Sequence, residues 1–179
     1  MRWMKKIIVI IVILVAAVLL YTMRDKFPTE EERTSQVSEN GLFRPDPSSA
    51  TFAFDDGPIT LSMGRNEGAS GEETILLNKF AYGDINADGK EDTALLLARY
   101  GAGSGTFLYL GAYISGPVTY RGSKVTFIGD RIAPQSISIK QGVVTIEYLD
   151  RRPDEALAAE PTVLISRQFT YRAGEFEER

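Results

Sequence analysis

The hydrophobic and polar positions divide the chain into three unlike stretches. The first is an apolar run from Ile7 to Met23, in which only Thr22 lies outside the hydrophobic set. Its pattern is apolar all round, so as a helix it has no polar face to give to solvent. These 17 residues span about 25 Å at about 1.5 Å each, just short of a bilayer core of about 30 Å. The second stretch, residues 24–49, is rich in charges, Ser and Thr, with three Pro and few apolar positions. Such a segment buries too little surface to offset its ordering entropy, and it reads as a polar stalk. From Thr51 onward, Gly and Pro punctuate short runs that alternate or are wholly apolar.

The third stretch predicts strands. Thr51–Phe54 and Ile59–Met63 flank a turn at Asp55-Asp56-Gly57-Pro58, a hairpin pattern. A strand is expected over Glu72 to Phe80. Thr93–Tyr100 and Phe107–Ile114 are apolar on both faces and joined by a Gly-rich link. They read as the two central strands of one hairpin, although periodicity alone does not separate a buried strand from a buried helix. Ile137 and Ile139 alternate with Ser136, Ser138 and Lys140 before a Gln141-Gly142 turn. Val144, Ile146 and Tyr148 then share one face. Val163 to Tyr171 forms a last strong strand, with Phe176 capping it. The loop from Asp150 to Pro161 is long, with room for one helical turn at Glu155–Ala159. The expected fold is mainly β: a single antiparallel sandwich or barrel-like domain over residues 50–179, with eight to ten strands, behind one N-terminal transmembrane helix.

Composition sharpens this picture. The chain has 179 residues, no His and no Cys. A Ser-His-Asp triad, a Cys nucleophile, a disulfide, a lipoprotein anchor and a His or Cys metal site are therefore excluded. The net charge of −4 is unevenly placed. Residues 1–26 carry five cations against one anion, a net +4, which leaves fifteen against twenty-three beyond them, a net −8. An acidic outer part argues against nucleic acid as a partner. Arg2, Lys5 and Lys6 before the apolar run favour an N-terminus in the cytoplasm, and Trp3 and Tyr21 suit the two interfaces. Residues 1–23 thus read as an uncleaved signal anchor in a bacterial inner membrane, with the domain periplasmic or extracellular. A cleaved signal is the alternative: Val15-Ala16-Ala17 fits the small-residue rule, but the cut leaves Val18–Tyr21 at the mature end with no polar region before it.

One segment carries chemistry. Residues 84–92 read D-x-N-x-D-G-x-x-D. Oxygens at positions 1, 3 and 5 converge on one ion in such a loop, Gly at position 6 allows the sharp turn, and position 7 offers its carbonyl. The expected ligands are the side chains of Asp84, Asn86, Asp88 and Asp92 and the carbonyl of Lys90, whose side chain is expected to point away. The expected ion is Ca²⁺, since Mg²⁺ favours compact octahedral sites that keep several waters. Position 12 of an EF-hand would be Leu95, so this is not one. A self-capped turn, with Asp and Asn bonding their own backbone, is the plain alternative. The loop resembles the calcium loops of integrin-like FG-GAP repeats, in one copy of about a dozen residues.

A broader resemblance covers most of the outer domain. YGDINADGKEDTALLL, GSGTFLYLGA, FIGDRIAPQSISIKQGVVTIEYLDRRPDEA and PTVLISRQF are similar to an uncharacterised family of small bacterial envelope proteins. Leu108 stands where that family has an aromatic residue, and Leu157 where it has Met. The resemblance implies location and fold, and no activity.

Other signals carry less. The stretch Gly101–Thr106 looks like a phosphate loop but lacks the Gly-Lys-[Ser/Thr] ending and reads as a hairpin turn. Asp55 and Asp56 with Asp150, Asp154 or Glu155 offer the carboxylates of an envelope glycan hydrolase. Arg131, Arg151 and Arg152 offer an anion site or internal salt bridges. Tyr109 and Tyr113 share one strand face and read as core before sugar platform. The function expected is a membrane-anchored binding or structural module with a calcium-stabilised loop, with a protein or glycan partner in the envelope. A glycan hydrolase and an accessory subunit of a membrane complex are the competing readings.

Overall fold

A computed structural model describes residues 36–37, 43–69, 71–101, 103 and 105–179. The apolar run 7–23 and most of the 24–49 segment lie outside the described residues. No helix among the described residues is long and apolar enough to cross a membrane.

The described chain is mainly β, with fourteen strands and no helix. In order they are β1 (Gln36–Val37), β2 (Phe43–Arg44), β3 (Thr51–Phe54), β4 (Gly57–Thr60), β5 (Arg65–Glu67), β6 (Glu73–Gly83) and β7 (Asp92–Tyr100). Then come β8 (Thr106–Ile114), β9 (Arg121–Gly122), β10 (Thr126–Asp130), β11 (Ala133–Lys140), β12 (Val143–Asp150), β13 (Val163–Arg172) and β14 (Glu175–Glu178). One antiparallel sheet has the order β10-β8-β7-β6-β5, with β9 on β8. A second has the order β11-β12-β13-β14, and β3-β4 is a separate hairpin. The sheets share a half-barrel curl.

Two apolar layers explain why β7 and β8 lack alternation. Ala94, Leu96, Leu108, Leu110 and Ala112 face Val144, Ile146, Tyr148 and Phe169 of the second sheet. Leu95 and Leu97 turn the other way, against Phe52, Phe54 and Leu61 of the β3–β4 region. The central strands are covered on both faces, so the middle of each, Ala94–Ala98 and Leu108–Ala112, carries no charged residue and does not alternate. Tyr109 and Tyr113 pack against the second layer, as expected of core, and burial pushes both phenols up from their ordinary pKa. The hairpin is tied to the sheet by the Ala53 amide on the Ser123 carbonyl at 3.1 Å and the Val125 amide on the Ala53 carbonyl at 3.0 Å. Cations bridge the two sheets: Arg167 of β13 donates to the Ile128 carbonyl at 3.0 Å, and Lys79 of β6 to the Gln135 carbonyl at 2.9 Å.

Several expectations need adjustment. The strand from Ile59 ends at Thr60, because Met63 (φ 53°) and Gly64 (φ 79°) turn the chain in the left-handed region. Phe176 does more than cap β13: Ala173 (φ 49°) and Gly174 (φ 97°) make a tight turn, and β14 pairs back. The residues around Glu155–Ala159 form turns, with Glu155 N–H on the Arg152 carbonyl at 3.0 Å, and no helix. The folded region also starts before residue 50. Pro45 is fully buried, and the Thr93 hydroxyl donates to its carbonyl at 2.8 Å. The polar composition of residues 44–49 concealed this, because it is backbone and proline rings that dock. The Gly101–Gly105 stretch is the β7–β8 hairpin loop, with Tyr100 opposite Thr106.

Candidate functional site

The Asp84–Asp92 loop joins β6 to β7. Its backbone turns through two left-handed residues, Ala87 (φ 62°) and Gly89 (φ 79°). Gly89 is position 6 of the motif, where the sharp turn was expected. Nothing lies within 4 Å of where its Cβ would sit. Gly89→Ala is therefore expected to cost about 1 kcal/mol through backbone strain alone, read as a shift in a urea unfolding midpoint. A shift below about a quarter of that would mean the turn is not held left-handed.

Side-chain oxygens gather on the loop amides. Asp84 and Asn86 both accept from the Asp88 N–H, each at 3.1 Å. The second Asp84 oxygen accepts from the Gly89 N–H at 2.9 Å, and Asp88 accepts from the Lys90 N–H at 2.9 Å. The other Asp88 oxygen takes the Ser115 hydroxyl and an Asn86 N–H at 3.2 Å. The Ser115 hydroxyl, followed by the Lys90 amide, holds the Asp88 carboxyl below its ordinary range. These bonds are what a self-capped turn makes. Each carboxylate oxygen carries two lone pairs, so one amide bond leaves capacity for an ion.

Asp92 stands apart from the other expected ligands. It is fully buried at the first position of β7. One oxygen accepts from the Ile85 N–H at 2.9 Å and the other from the Ser115 N–H at 2.8 Å. Its carboxylate clamps the loop to the end of β8. Among the described residues, no three acidic, His or Cys groups stand together as a metal cluster. Asp84, Asn86 and Asp88 are brought together; Asp92 is held beneath them. The Lys90 ammonium does not point clear, as it donates to the Gly116 carbonyl at 3.3 Å. Sequence reasoning missed Ser115 and Gly116. They sit 27 and 26 residues from their partners Asp88 and Lys90, and no local pattern marks such a contact.

The remaining candidates resolve into structural roles. Asp56 lies in the β3–β4 turn and takes both guanidinium nitrogens of Arg99, at 2.8 and 2.6 Å. That pairing, above all its hydrogen bonds, holds the Asp56 carboxyl below its ordinary range, which suits no general acid. Asp150 accepts from the Arg151 N–H at 2.7 Å, and Glu155 from the Arg152 N–H at 2.8 Å. No hydrogen bond or ion pair joins these two to Asp55 or Asp56 among the described residues. Arg151 holds the Arg131 carbonyl at 2.8 Å and the Ala159 carbonyl, and so pins the long loop.

Two bidentate pairs set an acid response. Glu178 takes Arg167 at 2.7 and 2.6 Å, and its carboxyl is also held low, first by those hydrogen bonds. A carboxylate with a lowered folded pKa stabilises the fold above its unfolded value of about 4 and loses that effect as pH falls through the folded value. The urea midpoint is expected to be flat from pH 7 to about pH 5 and to fall below about pH 4, less steeply in high salt. A midpoint unchanged between about pH 5 and pH 2.5 would contradict the pairing.

Comparison of the chain with family models, with curated proteins and with solved structures gives no match in any of the three.

Proposed function

We propose that this is a membrane-anchored extracytoplasmic β module, a partly closed sandwich, whose Asp84–Asp92 loop takes up Ca²⁺ and which serves as a binding or structural unit of the bacterial envelope. The observation that carries the calcium reading is the convergence of Asp84 and Asn86 oxygens on the single amide of Asp88, with Gly89 left-handed at position 6. Those are the residue types, spacing and turn of an oxygen-ligand loop. Asp84, Asn86 and Asp88 would hold the ion, with the Lys90 carbonyl and oxygens of the Ser115–Gly116 segment as further donors. Asp92 supports the loop from below, through amides. Bound Ca²⁺ supplies positive charge, which offsets the repulsion between carboxylates and fixes the loop ahead of β7. The membrane reading is supported by the apolar run 7–23 and the +4 charge of residues 1–26, and by the resemblance to small envelope proteins.

Selective binding to the native state adds RT ln(1 + [L]/Kd), about 1.4 kcal/mol at ten times Kd. For a chain of this size that raises Tm by about 3–6 °C. Melting the full chain in detergent with millimolar Ca²⁺ against EDTA is expected to show that shift. Equal melting curves, unchanged by Asp84→Ala, would reject the calcium reading.

A further inference from the structure

The Asp84–Asp92 loop does not stand alone at its end of the sheet. The β8–β9 segment, residues 115–120, lies beside it and is fastened to it. The Ser115 hydroxyl donates to Asp88, the Lys90 ammonium to the Gly116 carbonyl at 3.3 Å, and the Tyr120 hydroxyl to the Glu91 carbonyl at 2.9 Å. At the tip of that segment Val118 is 97 % exposed, and its neighbours Pro117 and Thr119 are exposed as well. A branched apolar side chain given wholly to water contributes nothing to the fold, and leaving water is favourable for it. Half-buried tyrosines stand behind the tip. The Tyr113 ring lies 5.4 Å from that of Tyr120, and Thr93 of β7 pairs with Tyr113 on one side and Tyr82 on the other.

Cations gather at the same end. Arg44 lies over the Tyr82 ring at 4.7 Å, and Arg121 pairs with Ile114, the last residue of β8. Lys140 ends β11, and the turn after it approaches the loop: a Cβ on Gly142 would sit 3.8 Å from the Asp84 carbonyl oxygen. Lys90 belongs to the loop itself. All four are exposed, and among the described residues none makes an ion pair, whereas Arg99 and Arg167 elsewhere each hold a carboxylate. The carboxylates around them are Asp46, Asp84, Asp88, Glu91 and Asp92. Four cations thus face five carboxylates, and Ca²⁺ in the loop turns that −1 into +1. The rest of residues 43–179 carry ten cations against fourteen carboxylates, so an anionic surface is repelled everywhere else. An apolar tip, tyrosines behind it and unpaired cations beside them are the composition of a surface that rests on lipid headgroups. The chain also enters the domain here: the Pro45 carbonyl, just after β2, takes the Thr93 hydroxyl beside the start of β7, and nineteen residues (24–42) separate β2 from the apolar run 7–23. We infer that Ca²⁺ uptake docks this end of the domain on a bilayer containing anionic phospholipid, with Val118 in the headgroup layer and Arg44, Arg121 and Lys140 over the phosphates. The inference rests on the calcium and membrane-anchor readings and gives the loop a task beyond stability.

The chain has no Cys, so Val118→Cys and Leu157→Cys each accept a single environment-sensitive nitrobenzoxadiazole label. Leu157 is 58 % exposed in the β12–β13 loop, at the opposite end of β12 from Lys140. The full chain is reconstituted in nanodiscs of phosphatidylcholine with and without phosphatidylglycerol, and calorimetry in the phosphatidylcholine discs reads Ca²⁺ uptake by the loop. With phosphatidylglycerol and Ca²⁺, the label at position 118 is expected to shift to the blue and to be quenched by doxyl-labelled lipid. EDTA is expected to reverse both, and the label at position 157 to stay unchanged. Arg121→Gln and Lys140→Gln are each expected to lower the docked-to-free ratio about fivefold, while the loop still takes up Ca²⁺. Ca²⁺ uptake with no response at position 118 overturns the inference and leaves the calcium reading standing. An equal response at position 157, an equal response without phosphatidylglycerol, or one undiminished by both Gln substitutions does the same. Absence of Ca²⁺ uptake overturns both.

Discussion

Asp92→Ala is expected to lower the unfolding free energy by about 4 kcal/mol, the largest effect of any polar substitution in the domain. The carboxylate is 0 % exposed and accepts the Ile85 and Ser115 amides at 2.9 and 2.8 Å. Both donors belong to buried residues. Truncation leaves each without an acceptor, at about 1–3 kcal/mol per amide. Asp92→Asn keeps the shape and one oxygen, but its NH₂ then faces an N–H, so about half of the loss is expected. The ordering Ala below Asn below wild type, from urea unfolding followed by circular dichroism, is the check. If both variants fall within about 0.5 kcal/mol of wild type, as exposed carboxylates do, the clamp does not exist. The loss is also expected in EDTA, since amides and not an ion create it.

Gly122→Ala is expected to cost about 3 kcal/mol or more. A Cβ there would lie 2.2 Å from the Thr51 carbonyl oxygen and 2.9 Å from the Phe52 ring. The first neighbour is backbone and has no rotamer to move into. The β3–β4 hairpin must lift away from β9, which exposes Phe52, now fully buried, and loosens Leu95 and Leu97 beneath it. Far-UV dichroism should persist while near-UV signal from the ring layer falls. Thr51→Ala keeps the carbonyl and is not expected to rescue the variant; rescue by it would place the clash in the side chain instead.

The contrast between these two sites shows what one sequence exposes. The strands β7, β8, β12 and β13 were legible because burial on one face or two writes itself into a local pattern. The Asp84–Asp92 loop was legible because its spacing is local. The roles within it were not. Asp92 is the ninth-position ligand of the motif, and it also accepts from the Ser115 amide, 23 residues away, a second role that the spacing does not announce. Lys90 was expected to project outward, and its ammonium finds the Gly116 carbonyl. The Arg99–Asp56 pair spans 43 residues, and the docking of Pro45 on Thr93 spans 48. Tertiary contacts of that range leave no periodicity to read. Composition also misassigned residues 44–49 to the stalk, because polar side chains there accompany a backbone that packs.

Direct calcium titration of the full chain by calorimetry tests the central claim. One saturable site with Kd of about 10⁻⁴–10⁻³ M is expected, lost in Asp88→Ala, whose exposed carboxylate can be removed without unfolding the domain. A folded wild-type chain that takes up no Ca²⁺, or binds it no better than Asp88→Ala, would contradict it and leave the loop as a self-capped turn.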